Sequence, residues 1–387
     1  MTRILELLVS LLIVFALVVL VGVMLPSHGH IERSVEVSNP VRQIYDSLNT
    51  FQRFREWSDL SRQDRGITME LSGPRSGEGA KVSWNSRNPE VGQGSLTIID
   101  NKVDDEVKMA LVNSYAGENK TYTLRLEPSA NKRTTRIFMA YDVDYGWNLA
   151  WRYAGMYIHG KPDTTIQSSL SHLSNMLAGF PNVDYRDQDI QLATLEAKPM
   201  LLVSTKAKRN LDDVMEATDV AVAKLHAAME KAGLEPAGPR MTITTTWGDE
   251  NYGFDVAIPV NAAEFTLDGK SFTITAANAA AETAFGEEEE EAPLVELQPG
   301  AIDSNGYLVV DKDVRATMSY AGEALMIEYT GSPAALPLLR NMEKAYAETH
   351  GYGYTEMNGG RFWDEVTVNP ELGDDEQTYK VYLPVQE

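Results

Sequence analysis

The chain has 387 residues, 43% of them hydrophobic, which leaves room for two or three packed domains beside any membrane anchor. Its formal net charge is −22 and unevenly placed: residues 1–190 carry 20 Lys and Arg against 22 Asp and Glu, whereas residues 191–387 carry 14 against 34. An acidic half of this kind argues against nucleic acid and anionic lipid surfaces as partners and attracts cations.

After a short stub, residues 1–6, the run at residues 7–25 is 19 residues without a charge. That is long enough to cross a bilayer as one helix, and it is apolar on every side rather than on one face. It is longer than a secretory h-region and ends in Val23-Met24-Leu25-Pro26 with no small-residue cleavage pattern, so an uncleaved anchor is favoured over a signal peptide. Arg3 and the amino terminus precede the run, while Glu32 and Arg33 cancel after it. The expectation is a single-pass protein of a bacterial inner membrane, with residues 30–387 on the periplasmic side. The absence of cysteine is compatible with either side.

Residues 31–37 alternate and predict a strand. Asn39 as a cap and Pro40 at the first helical position predict a helix carrying Val41, Ile44, Tyr45, Leu48 and Phe51 on one face. Short alternating runs come next, near residues 68–71, 81–85, 94–100, 106–112, 121–126 and 135–144, separated by glycine-rich turns. A long helix over about 164–177 closes the region, with Ile166, Leu170, Leu173 and Leu177 as its apolar stripe. A meander of strands curved around one long helix is a common setting for an apolar cavity.

Leu25-Pro26-Ser27, Glu56-Trp57-Ser58, Ser72-Gly73-Pro74, Gly77-Glu78-Gly79-Ala80, Trp84 and Val91-Gly92-Gln93-Gly94 carry a resemblance. On them, residues 25–180, with the domain itself at 30–180, resemble the START-like superfamily, also called SRPBCC, in its polyketide cyclase/dehydrase branch. Members often have a second tryptophan three residues after the first, where this chain has Leu60. The resemblance implies a helix-grip fold with a deep hydrophobic cavity, and no particular activity. Trp57, Trp84 and Tyr141 are the candidate pocket residues, ordinary core packing being the alternative. His159 and His172 have no partner at metal or catalytic spacing, and no HExxH, GxSxG or Walker A pattern occurs, so no catalytic residue, metal or cofactor is assigned.

Residues 181–190 are polar and predict a linker. The chain beyond them repeats itself: a strand at 200–206, a helix at 211–231 and strands at 241–247 and 252–260, then strand material in 309–329, a helix at 338–349 and strands at 362–368 and 379–385. Both halves end in a strand closing on Pro-Val. The expected fold is therefore α+β throughout: a transmembrane helix, a helix-grip domain, and a pseudo-twofold (β-α-β-β)2 domain at 191–387. Asn210, the pair Asp212 and Asp213, and Gly233 mark the ends of the first helix of this domain; Pro337 is expected to delay the second. Residues about 265–305, with Glu287 to Glu291, depart from the pattern and read as an acidic inserted loop.

The duplicated order, Tyr329-Thr330-Gly331 and Trp363-Asp364 ahead of Asn369-Pro370 make this half similar to GyrI-like, or AraC-type effector-binding, small-molecule domains. The resemblance implies a cleft between the halves lined by aromatics, Tyr329 and Trp363 among them, with a buried acid at Asp364 or at the adjacent Glu365. Neighbours on a strand face opposite ways, so only one of the two can enter the cleft; surface carboxylates are the alternative for both. The functional expectation is membrane-anchored binding or sensing of hydrophobic or amphipathic small molecules, cationic ones included, through two tandem pocket domains. A cyclase- or hydrolase-type enzyme using the acid as base, and lipid transfer by the first domain, are the alternatives.

Overall fold

The computed structural model describes residues 2–131, 133–277, 297–354, 362–367 and 376–386; the acidic run at 287–291 and Asn369-Pro370 lie outside them. The protein is mixed α+β and divides into two compact units: residues 1–184 with 349–351, and residues 185–348 with 352–387.

The first unit begins with α1 (Thr2–Met24), whose stretch Arg3–Met24 is long and apolar enough to cross a membrane. Then come β1 (His28–Val37), α2 (Val41–Leu48), the short α3 (Phe54–Trp57) and α4 (Leu60–Gln63), and β2 (Thr68–Ser72). The strands β3 (Lys81–Asn85), β4 (Gln93–Lys102), β5 (Glu106–Val112), β6 (Glu118–Pro128) and β7 (Thr135–Asp144) continue the meander. α5 (Leu149–Gly155) and α6 (Lys161–Ala178) end the unit. The seven strands form one antiparallel sheet in the order β1-β7-β6-β5-β4-β3-β2. Only the first strand leaves sequence order, because α2 to α4 return the chain to the far edge before the meander starts.

The stripe Ile166, Leu170, Leu173 and Leu177 of α6 is buried with Ile44 and Leu48 of α2 in a single core. α6 runs further than its apolar stripe predicts, from Lys161, because Pro162 is tolerated in a first helical turn. The expected cap of α2 is corrected: Pro40 occupies the cap position and the Asn39 side chain makes no cap bond. Asn39 is buried and donates to the Leu177 carbonyl at 2.9 Å and to Gln43 Oε1 at 3.0 Å, so it ties α2 to the end of α6.

The second unit is built on β8 (Ile190–Leu195), β9 (Pro199–Lys208), α7 (Leu211–Ala232), β10 (Arg240–Trp247) and β11 (Asn251–Pro259). A hairpin, β12 (Glu264–Leu267) and β13 (Lys270–Thr273), comes next, then β14 (Leu308–Val309), β15 (Arg315–Met318) and β16 (Gly322–Gly331). α8 (Leu336–His350), β17 (Trp363–Thr367) and β18 (Gln377–Pro384) complete it. Nine strands make one sheet, β14-β15-β9-β11-β10-β17-β18-β16-β8, with the pair β10 and β17 at its middle. α7 is capped by Asn210, whose side chain accepts from the Asp213 N–H at 2.8 Å, and stops at Gly233 in the left-handed region. α8 starts at Leu336, directly after a 3-10 turn at Pro333–Ala335. Pro337 therefore sits inside the first turn, where a missing N–H costs nothing, rather than ahead of the helix.

The loop expected at about 265–305 is shortened at its start. Asp268 and Gly269, both with positive φ, turn the β12–β13 hairpin, and Phe265, Leu267 and Ile274 are buried beneath α7 in its core.

Candidate functional site

A cavity of about 940 Å³ lies in the second unit over the middle of its sheet. Its floor comes from one face of β10 and β17. The register Arg240↔Val366 and Thr242↔Asp364 puts these four side chains on that face together. The first two turns of α7 form one wall and the segment from Ser332 to Arg340 forms another. Tyr252 of β11 and Tyr379 of β18 flank the floor.

The charges are deeply set. Asp364 is 1% exposed and Arg340, from α8, is 8% exposed, and the Arg340 guanidinium donates to Asp364 Oδ2. Burial pushes the Asp364 carboxyl above its usual range and Arg340 draws it back only in part. Burial acts to lower Arg340, but the Asp364 carboxylate and the Tyr252 oxygen outweigh it, so the guanidinium is held more firmly than in water. Tyr252 also shares a hydrogen bond of 3.0 Å with Thr244. Burial pushes Tyr379 up to about 12, against the pull of Arg240. Arg209 lies 4.3 Å over the Trp247 ring at the mouth and donates to the Gly248 carbonyl at 3.0 Å. Two buried acceptors of the lining residues, Asp364 Oδ1 and Gln377 Oε1, have no hydrogen-bond partner among the described residues.

One turn further along α8 from Arg340, Glu343 is 0% exposed, and neither of its oxygens has a hydrogen-bond partner among the described residues. Burial, with Asp364 nearby, raises its carboxyl well above the ordinary range, Arg340 opposing. Glu343 therefore keeps its proton where a surface glutamate would lose it.

Of the candidate ligand-binding residues read from the sequence, only Asp364 lines this space. Glu365 points to the other face, where Tyr382 donates to its Oε2 at 3.3 Å. Trp363 is on that other face too, buried and stacked on Tyr382 at 4.8 Å among Met200, Leu202 and Met241. Tyr329 is stacked on Tyr379 at 6.3 Å but does not line the cavity. The buried acid does not stand alone among aromatics. Asp364 is already paired, and the lining as a whole sets Arg209, Arg240 and Arg340 against Asp212, Asp219 and Asp364. The −20 balance of the half is thus not focused on this cavity.

Arg340 and Glu343 were not singled out, although a signal exists. They fall at the i+4 and i+7 positions from Leu336, inside the apolar stripe of α8, where a charge needs a reason.

The first unit gives a different result. Trp57 and Trp84 line a space of only about 50 Å³, room for one or two waters. Among the described residues, aromatic side chains fill this place, where the START-like resemblance implies a deep cavity. Phe54 and Trp57 meet edge to face at 5.0 Å, and Tyr122 and Tyr141 meet at 5.4 Å. Tyr141 is buried behind the lining, and burial raises it and Tyr122 above the usual phenol value. The indole N–H groups of Trp57 and Trp84 are buried without an acceptor among the described residues.

The sequence matches no protein family profile and no curated protein. Among solved structures, the chain is similar to a protein from Nitrosospira multiformis at 19% identity, over 39% of this chain and 97% of that one, with a TM-score of 0.29. Norcoclaurine synthase from Thalictrum flavum, in complex with dopamine and hydroxybenzaldehyde, matches at 12% identity over 41% and 90%, with a TM-score of 0.31. The C-terminal domain of EcmrR matches at 11% identity over 52% and 98%, with a TM-score of 0.34. At this level the likenesses decide neither the family nor the ligand of this chain.

Proposed function

We propose that this chain is a membrane-anchored protein whose second unit binds an amphipathic small molecule that offers hydrogen-bond donors. The observation that carries the reading is the cavity of about 940 Å³, within the size range of ligand pockets and lined by aliphatic, aromatic and a few charged side chains. Asp364 Oδ1 and Gln377 Oε1 supply its specificity, because a buried acceptor left unmade costs free energy that a donor-bearing ligand recovers. Since Arg340 offsets Asp364, the donor matters more than net positive charge. An amine and an alcohol of the same shape should bind alike, and an ether should not.

Two further features support the reading. β9-α7-β10-β11 and β16-α8-β17-β18 share the same order, and the sheet order runs β9-β11-β10 then β17-β18-β16, which suits two related halves meeting at β10 and β17. α1 suits an anchor for residues 7–25, and the basic flank before it favours a periplasmic position for the rest. A space of about 50 Å³ in the first unit supports placing the ligand in the second unit rather than lipid carriage in the first.

The test is titration of the full chain in nanodiscs with matched naphthyl probes carrying a primary amine, an alcohol or a methyl ether. Thr242→Trp, which places an indole on the cavity floor, should abolish binding of all three. The amine and alcohol should exceed the ether by about tenfold, one hydrogen bond's worth. No binding, or binding indifferent to Thr242→Trp, would overturn the cavity as the site; equal affinity for alcohol and ether would overturn the role of the free acceptors.

A further inference from the structure

We infer that residues 145–160 of the first unit are a membrane-interface seat, immersed in the boundary layer of the same bilayer that α1 crosses. The inference rests on the anchor reading of residues 7–25.

The geometry begins with how α5 holds α1. Tyr153 Oη donates to the Val18 carbonyl at 2.6 Å. Arg152 Nη1 donates to the carbonyls of Val23 at 2.9 Å and Leu25 at 3.2 Å, and its Nε donates to the Gly146 carbonyl at 2.8 Å. The last carbonyls of α1 have no intrahelical partner, so Arg152 supplies donors and a positive charge where the helix dipole wants both. Gly22 makes the close approach possible: a Cβ there would lie 3.1 Å from the Tyr153 ring and 3.3 Å from Leu149. The first unit is therefore fastened to the anchor along residues 18–25, not hung from it by a free linker.

That attachment fixes a depth. Residues 7–25 rise about 28 Å as a helix, close to the roughly 30 Å of bilayer hydrocarbon. Val18 then lies about 10 Å below the outer end of the span. A phenol that reaches the Val18 carbonyl places α5 at the junction of hydrocarbon and headgroups.

The composition of the segment fits that depth. Residues 145–160 contain no carboxylate, in a chain of net charge −22. Their one arginine, Arg152, is buried against α1 and lies 5.1 Å over the Trp147 ring. Trp147 is 83% exposed and Tyr157 78% exposed, with Met156 exposed beside them. Large aromatic rings with one polar atom are stable where one side is apolar and the other wet. In water the same rings would stand as an unpartnered apolar patch. The bilayer is the occupant that continues from α1 without a break.

The chain has no cysteine, so single labels can be placed at will. The full chain would be spin-labelled through Phe15→Cys, Tyr157→Cys or Val103→Cys and reconstituted in nanodiscs of phosphatidylethanolamine and phosphatidylglycerol. Val103 is exposed on the turn between β4 and β5 and serves as the aqueous control. Collision with oxygen, which favours lipid, is compared with collision with a water-soluble nickel chelate. The oxygen-to-nickel ratio should be highest at Phe15→Cys, several-fold above the control at Tyr157→Cys, and lowest at Val103→Cys. A lipid-embedded Phe15→Cys label with Tyr157→Cys equal to the control keeps the anchor and overturns the seat. A Tyr157→Cys label shielded from both reagents also overturns it, since a protein partner or a second copy then covers the patch. An aqueous Phe15→Cys label removes the anchor and the seat with it.

Discussion

In the first unit the sheet and α6 meet across Phe54, Trp57, Trp84 and Tyr122, and about 50 Å³ is left between them. In the second unit α7 and α8 stand over a sheet of similar make-up, and about 940 Å³ is left. The difference lies in what stands at the middle of the face that the helices cover. In the second unit Trp363, Tyr382 and Tyr320 pack on the face away from the helices, while the covered face of β10 and β17 carries Arg240, Thr242, Asp364 and Val366, with Tyr252 and Tyr379 only at its flanks. A packed interior has few voids larger than water, so a hollow of this size needs a floor whose middle no large ring fills. Architecture alone does not make a pocket; the distribution of bulky side chains over the two faces does.

The strongest way to break the contrast is to hollow the filled unit. Trp57→Ala should cost about 3–5 kcal/mol in denaturant unfolding, and the new apolar space should take up benzene or xenon. A loss below about 1 kcal/mol would mean that the ring does not fill the interior as described. In the hollow unit, Asp364→Ala should cost a similar 3–5 kcal/mol, because it strands the buried Arg340 charge. Removing both charges, as in Asp364→Leu with Arg340→Met, should recover most of that loss. A double variant as unstable as the single one would show that the pair does more than neutralise itself.

Glu343 sharpens the comparison through pH. Its carboxyl is raised in the folded state, so above an unfolded value near 4.5 the unfolded chain releases a proton that the folded chain keeps. Its contribution is complete below that value and is lost as pH rises towards the folded one. Glu343→Gln cannot titrate, so relative to the parent it should gain stability as pH rises from 5 to 9. Thermal melts at the two pH values check this, and parallel losses in both proteins would contradict a protonated Glu343. The smallest expected effect is Asn210→Ala, about 1 kcal/mol in denaturant unfolding from the loss of the α7 cap.

Much of the local structure was legible because its signals are local. The Asn210 cap, the Gly233 stop and the stripe of α6 depend on residues a turn apart. Asp268-Gly269 between alternating residues was an equally local hairpin signal, yet the acidic stretch beyond it drew residues 265–274 into an expected loop. Asn39 shows the limit from another side: an asparagine before Pro40 suits a cap, but the Leu177 carbonyl, distant in sequence, takes its amide instead.

The candidate site divides along the same line. Strand periodicity by itself determined that Asp364 and Glu365 face opposite ways, because successive side chains alternate whatever lies above or below. Only the tertiary structure decided which of them enters the cavity. Pairing of β17 with β10 sets Asp364 beside Thr242, and α8 brings Arg340 over that face. Periodicity fixes a relation between neighbours, whereas the covered face, the counter-charge and the room left over depend on side chains far apart in the chain.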